Sequence, residues 1–288
     1  MGRLIVNADD FGLTAGVNRA IVELYREGVL TSTTLMANAA ATVDALALAR
    51  SNPGLGIGCH VVLADGEPVL PPNEVPTLID RRTGCFPPKL TTFLRRLFTG
   101  QIRSAEIEAE AAAQIASLQS RGLQLTHVDT HKHTHMFPAV LRPVLRAARA
   151  AGIQTIRNPF EPEWAVRATP RVSVVRSAEV WALRRFGPYF QRVLAEEGFS
   201  TTDGTIAVAA TGVVNAGTVR SLLGRLPEGT WELVTHPGYN DADLAKVRTR
   251  LRASRDIERL ALSAIREFPS LDLISFAGLR TAPQPFTR

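Results

Sequence analysis

Short apolar runs alternate with stretches of helical period along most of this chain. Residues 4–8 (Leu-Ile-Val-Asn-Ala) form a run too short for a helix and predict a buried strand. Residues 15–26 place apolar side chains at helical spacing, and Gly28 can close that helix. Residues 32–36 are β-branched and strand-like, 42–50 read as a helix stopped by Asn52-Pro53-Gly54, and 55–63 as the next strand. The longest predicted helix is 102–121, rich in Ala and Glu, with Gly122 just past its end. Then come a strand at 125–129, an Arg-rich helix at 139–151 closed by Gly152, and a strand at 153–157. Further strands are expected at 206–209, 231–234 and 273–276, with helices around 218–226 and 254–268. Repeated strand–helix units around one core predict an α/β fold of the (β/α)-barrel type or a close relative, one domain over residues 1–288. Two stretches break the rhythm, at about 65–97 and 160–199. Both follow predicted strands, and long loops of this kind are usually functional.

Several strand ends carry unusual chemistry. Asp9 and Asp10 follow the first run, and His60 lies in the third strand. His127 and Asp129 lie in the strand at 125–129, with His131, His133 and His135 after it, and His236 follows the strand at 231–234. All six histidines fall in these segments. In a barrel, the carboxyl ends of the strands converge on one rim, where active sites are found. A carboxylate pair, a lone His and a His-rich tract on such a rim predict one divalent-metal site assembled from distant segments. Each motif alone has a plainer reading: Asp9–Asp10 as a helix cap, His60 as a core histidine, His236-Pro237-Gly238 as a turn. In the tract, His127, Asp129, His131, His133 and His135 alternate, so an extended chain would project them from one face. Five such groups cannot all ligate an ion that also takes Asp10 and His60, so some must orient ligands or touch substrate.

Composition narrows the classes. The chain is 45% apolar, ample for a sizeable core, and no run is long enough to cross a membrane. The apolar residues 4–6 are too few for a signal peptide and Asp9–Asp10 interrupt them, which predicts a cytoplasmic protein. The two cysteines, Cys59 and Cys85, do not form a disulfide framework, and Cys59 should face the core opposite His60. Net charge is +6, concentrated where ten arginines and three glutamates fall between Arg142 and Val193. No nucleic-acid module accompanies that charge, so nucleic acid is not an expected partner. The segment from Phe160 to Phe190 also holds Trp164, Trp181, Phe186 and Tyr189, with Arg167, Arg171, Arg176, Arg184 and Arg185 among them. This suits a surface that touches anionic lipid headgroups at the inner face of a membrane, or alternatively an ordinary helix pair covering the barrel. Nothing in the sequence indicates an oligomeric state.

The motifs NADDFG (7–12), GIGCH (56–60), HVDTHKHTHMFP (127–138) and THPGY (235–239) resemble those of the YdjC-type carbohydrate deacetylases, which include chitooligosaccharide deacetylases. The resemblance covers nearly the whole chain. RRTGCFPP (81–88) and RFGPYF (185–190) are more similar to the branch associated with hopanoid lipid biosynthesis than to the chitin-degrading branch.

The resemblance implies a metal-dependent amidohydrolase on a distorted (β/α) barrel, its site at the carboxyl ends of the strands. Asp10, His60 and His131 would hold one divalent ion, zinc or magnesium. Asp9 would be the general base and His236 the general acid, leaving His127, Asp129, His133 and His135 to orient ligands or contact substrate. The expected substrate is an N-acetylglucosamine-type amino sugar on a hopanoid glycolipid. Deacetylation of soluble chitooligosaccharides stays open. So do a metal-dependent phosphoester hydrolase, which two metal ions would favour, and a non-catalytic glycolipid-binding protein with a relic site.

Overall fold

Seven parallel strands curl into one sheet in the computed structural model, which describes residues 2–170 and 172–281. They are β1 (Arg3–Phe11), β2 (Ser32–Leu35), β3 (Gly56–Val61), β4 (His127–Thr130), β5 (Gly204–Ile206), β6 (Thr230–Thr235) and β7 (Asp272–Leu273). The order across the sheet is β4-β3-β2-β1-β6-β5, and β7 pairs with the start of β1. Helices packed outside the sheet explain the continuous apolar runs: strands covered on both faces need no alternation.

The predicted strand at 153–157 forms no ladder. It makes isolated parallel bridges, Val128 with Ile156 and Thr155 with Ser200. Side chains complete the join, since Thr201 Oγ1 donates to the Ile156 carbonyl and Thr205 Oγ1 to that of Asn158. The segment thus closes the gap between β4 and β5, and the result is the distorted (β/α) barrel expected. The strand predicted at 206–209 instead ends at Ile206, because Ala207 takes a left-handed backbone with φ 71°. The buried Glu161 carboxylate accepts the backbone N–H groups of Ala207 and Ala209 and fixes this turn. The strand predicted at 273–276 is only Asp272–Leu273, and Phe276–Thr281 turn into a 3₁₀ segment.

The two insertions have different characters. Within 65–97 the chain is mostly turns, held by the helix Ser104–Gln119. That helix presents Glu106, Glu110 and Gln114 on one face at intervals of four residues. Glu110 accepts the N–H groups of Val69 and Leu70, Glu106 accepts that of Thr77, and Gln114 pairs with Val62. Buried polar side chains here do the work of a missing sheet edge. The 160–199 insertion is helical instead, with helices Glu163–Ala168, Val174–Leu183 and Gly187–Glu197. Its aromatics mostly join the core, as the plainer reading held: Phe190 is fully buried and Phe160, Trp164, Phe186 and Tyr189 pack against the core partly buried. No helix of the described residues is long and apolar enough to cross a membrane.

Candidate metal centre and catalytic site

The two aspartates reach one site because β1 is irregular there. Adjacent strand residues normally face opposite sides, but Asp10 has φ 66° and the β1–β2 register shifts between Ala8 and Phe11. A non-glycine residue in this region costs on the order of 1–3 kcal/mol, and such strain persists where surrounding contacts enforce it. Both carboxylates are 3% exposed.

Asp10 Oδ1, His60 Nε2 and His131 Nδ1 form a nearly equilateral triangle. The separations are 3.5 Å for Asp10–His60, 3.3 Å for Asp10–His131 and 3.2 Å for His60–His131. Asp10 Oδ1 is buried and makes no hydrogen bond among the described residues. A tetrahedral ion with N and O ligands at 2.0–2.2 Å needs ligand-to-ligand edges of about 3.3–3.6 Å. An orphaned carboxylate oxygen facing two ring nitrogens at that spacing fits a metal-ligand set. His60 is oriented for it: Asp129 Oδ1 lies 2.7 Å from Nδ1 and Thr34 Oγ1 3.1 Å, which leaves Nε2 to face the triangle.

A second cluster, Asp9, His60 and Asp129, also brings ligand atoms close together, but a cation already fills it. The fully buried Arg157 donates to Asp9 at 2.9 and 2.6 Å, to Asp129, and to Glu232 Oε1 at 2.8 and 2.6 Å. One guanidinium thus neutralises a carboxylate cage that would otherwise repel itself. Burial would raise the Asp9 pKa; the Arg157 charge, with His60 and His236, outweighs it and holds Asp9 well below the carboxylate range. Burial pushes Glu232 up to about 7 against the pull of Arg157. Asp9 Oδ1 also accepts from Asn7 Nδ2 and Thr34 Oγ1, so Oδ2 is its less encumbered oxygen. His236 Nε2 lies 3.8 Å from that atom. Burial depresses His236 to about 4 despite the nearby Asp9 and Asp10, which favours a neutral ring at rest, so as a general acid it needs a proton delivered to it.

The histidine tract is not extended. β4 stops at Thr130, and Lys132 (φ 59°) and His133 (φ 52°) turn the chain into a 3₁₀ segment, His131–Met136. His131 therefore swings to the metal triangle, while the later histidines leave the common face. His135 Nε2 lies 3.1 Å from the Arg157 carbonyl and Nδ1 2.8 Å from Thr130 Oγ1, so this ring braces the Arg157 segment. His133 stands edge-on to His135. His127 is fully buried, stacked on Phe276 with centroids 3.7 Å apart, and has no path to a substrate. Its ring lies over Gly58, where a Cβ would come within 2.5 Å of Cε1. Gly58 is a glycine because His127 occupies that space, one layer below the His60–Asp129 pair of the same two strands.

Sequence reading missed Arg157, Glu232, Arg255 and Glu258. Arg157 ends an apolar run, the signal that found the histidines, and Glu232 interrupts one. Nothing in the pattern marks Arg255, whose Nη2 donates to Asp10 Oδ2, or Glu258, which accepts the His236 backbone N–H.

Comparison with known proteins identifies the family. The model of the YdjC-like protein family matches residues 3–268. A carbohydrate deacetylase of Thermoanaerobacter pseudethanolicus is 30% identical over 266 residues, 91% of each chain. A chitooligosaccharide deacetylase of Serratia marcescens is 40% identical over 152 residues, 52% of this chain and 57% of that one. Among solved structures, a protein of Enterococcus faecalis V583 named for cellobiose-phosphate cleavage superposes with a TM-score of 0.75 at 27% identity, covering 96% of this chain and 98% of that one.

Proposed function

Because the chain belongs to the YdjC-like family, we propose that it is a carbohydrate deacetylase that hydrolyses the acetamide of an N-acetylated amino sugar with one divalent ion held by Asp10, His60 and His131. The observation that carries this reading is the unpartnered Asp10 Oδ1 facing two imidazole nitrogens at metal-ligand spacing. When bound, the ion supplies Lewis acidity toward the acetamide carbonyl and lowers the pKa of the attacking water. Asp9 Oδ2 takes the proton of that water as its oxygen bonds to the carbonyl carbon. The C–N bond then breaks, and the amine leaves only with a proton, which His236 Nε2 delivers. Since His236 rests neutral, it must first receive that proton, and Asp9 is the neighbouring source.

The triangle favours zinc over magnesium, because octahedral magnesium at 2.0–2.1 Å would need adjacent ligands only about 2.8–3.0 Å apart. Arg157 in the second carboxylate cluster argues against a dinuclear phosphoesterase. Mass spectrometry of N-acetylglucosamine oligomers and of glycolipids bearing the same sugar, incubated with enzyme and zinc, tests the activity. Loss of one acetyl group per attacked sugar is expected, and no loss from either class would defeat the proposal.

One surface favours a lipid-linked acceptor, such as the hopanoid glycolipid that the sequence motifs suggested. The helix Val174–Leu183 leaves Val174 (86%), Val175 (70%) and Trp181 (74%) exposed. It lies beside the catalytic face: Arg176 donates to the Val208 carbonyl just past β5, and Phe186, in the turn that follows the helix, packs on Phe137 just past the histidine tract. Charge contributes less than composition indicated. Arg142, Arg146, Arg149, Arg167 and Arg176 are paired with Glu197, Glu108, Glu197, Glu163 and Glu179 respectively. Vesicle flotation should therefore drop on Trp181→Asp and respond only weakly to salt. Unchanged flotation in that variant, or none by the native protein, would leave soluble oligosaccharides as the substrate.

A further inference from the structure

The helix Ser254–Ala261 belongs to none of the motifs, yet its inner face backs the site at two points. Arg255 and Glu258, three residues apart and each 1% exposed, point the same way. Arg255 Nη2 donates to Asp10 Oδ2, and Glu258 Oε1 accepts the backbone N–H of His236 at 2.9 Å. The helix also meets the chain beyond His236, where the Gly238 N–H donates to the Arg255 carbonyl at 3.3 Å. A Cβ on Gly238 would lie 3.2 Å from Arg255 Cδ, so the glycine of THPGY leaves room for this side chain.

The contrast with Arg157 is informative. Arg157 divides its donors among three carboxylates, whereas Arg255 Nε and Nη1 have no hydrogen-bond partner among the described residues. Arg255 therefore makes one side-chain hydrogen bond, and that bond occupies one oxygen of the carboxylate whose other oxygen faces His60 and His131.

We infer that Arg255 and Glu258 are positioning residues for the reaction. Arg255 holds Asp10 so that Oδ1 alone is presented to the ion, and Glu258 fixes the point where His236 leaves β6. The inference rests on Asp10 being a metal ligand and His236 the proton carrier. Without Arg255 the Asp10 carboxylate is free to rotate and to offer both oxygens, which raises the coordination number and closes a position that water or substrate needs. Because one N–H donor is all the structure uses, lysine should substitute in part.

The test is cobalt substitution of Arg255→Met and Arg255→Lys, reading visible absorption and turnover together. The Met variant should show weaker, shifted cobalt bands, as expected for higher coordination, and lose about 10–100-fold in kcat, the usual effect of removing a ligand's orienting partner. The Lys variant should keep the native spectrum and most of the activity. Glu258→Gln, which retains an acceptor, should stay near native, while Glu258→Leu should lose kcat with cobalt bands unchanged. A Met variant with native spectrum and turnover would overturn the inference, as would a Lys variant with the spectrum of the Met variant. If Asp10→Ala binds cobalt with the native spectrum, the metal assignment itself fails instead.

Discussion

Asp9 and Asp10 are neighbours with the same side chain and nearly the same burial, but their partners differ. Asp9 is tied to Arg157 by two hydrogen bonds, while Asp10 spends one oxygen on Arg255 and keeps the other unpaired. The histidines divide in the same way. His131→Ala should lose the ion, because two protein ligands make an inadequate site, whereas His127→Ala should keep it and lose stability instead. Metal analysis of the two purified variants decides: loss of the ion from His127→Ala with retention in His131→Ala would reverse the assignment. The sequence made the candidates legible, since every candidate ligand closes or follows an apolar run. It did not show which tract histidines turn inward. That depends on two left-handed residues, Lys132 and His133, which neither composition nor periodicity marks.

At the scale of elements, the β3–β4 pair is a stack of two layers, Gly58 against His127 and His60 against Asp129. Gly58→Ala should force the His127 ring aside, lower the melting temperature and disturb His60 two residues on. His127→Ala removes the clash, so the double variant should be less destabilised than the sum of the single ones. Simple additivity in a double-mutant cycle would show that the ring does not need that space. Arg157→Met should cost about 3–5 kcal/mol, the scale for leaving buried charges uncompensated, read as a lower denaturant midpoint. Helix and strand positions were largely readable because their apolar periods are strong. The segment 153–157 and the short β5 departed from expectation where side chains replace the ladder: Thr201 and Thr205 at the β4–β5 gap, and Glu161 under Ala207.

For the whole molecule, buried histidines and buried glutamates oppose each other in the response to acid. Burial holds His127 and His133 at about 3, and His135 and His236 at about 4. In the unfolded chain a histidine titrates near 6.5. For these four groups the unfolded state therefore binds more protons in this window, and their contribution to stability falls as pH drops from about 6.5 toward 4. His60 acts oppositely: burial disfavours its charge, but Asp129, Asp9 and Asp10 push it up to about 9. Its contribution to the metal-free protein is full below about 6.5 and is lost as pH rises through 9. Burial pushes Glu161, Glu232 and Glu258 up to about 7, so between about 7 and 4.5 the native state takes up their protons and offsets most of the histidine loss. Melting temperatures of the metal-free protein should therefore change little across that window. They should fall steeply below about 4, where Asp9, Asp10 and Asp129, held low in the fold, add to the histidines. A steep fall between about pH 7 and 4.5, or a flat profile below about 4, would contradict this balance of burial and nearby charge. The barrel, the gathering of the candidate residues at one rim and the family were all legible in one sequence, because the motifs sit at strand ends that hydrophobic runs mark. The neutralising arginines were not, because a buried arginine looks like surface charge until its carboxylates are located. Much of the excess between Arg142 and Val193 is accounted for in this way: Arg157 enters the site, and Arg142, Arg146, Arg149, Arg167 and Arg176 enter ion pairs, while Arg171 lies outside the described residues.

The division of labour between adjacent aspartates is the central claim, and one paired measurement tests it. Zinc content and turnover on an N-acetylglucosamine acceptor are measured on the same preparations of Asp9→Asn and Asp10→Ala. Asp9→Asn should retain one ion per chain and lose about a hundredfold or more in kcat, the usual scale for a missing general base, while Asp10→Ala should lose ion and activity together. An Asp9→Asn protein that turns over normally, or that loses its zinc while Asp10→Ala keeps it, would contradict the account.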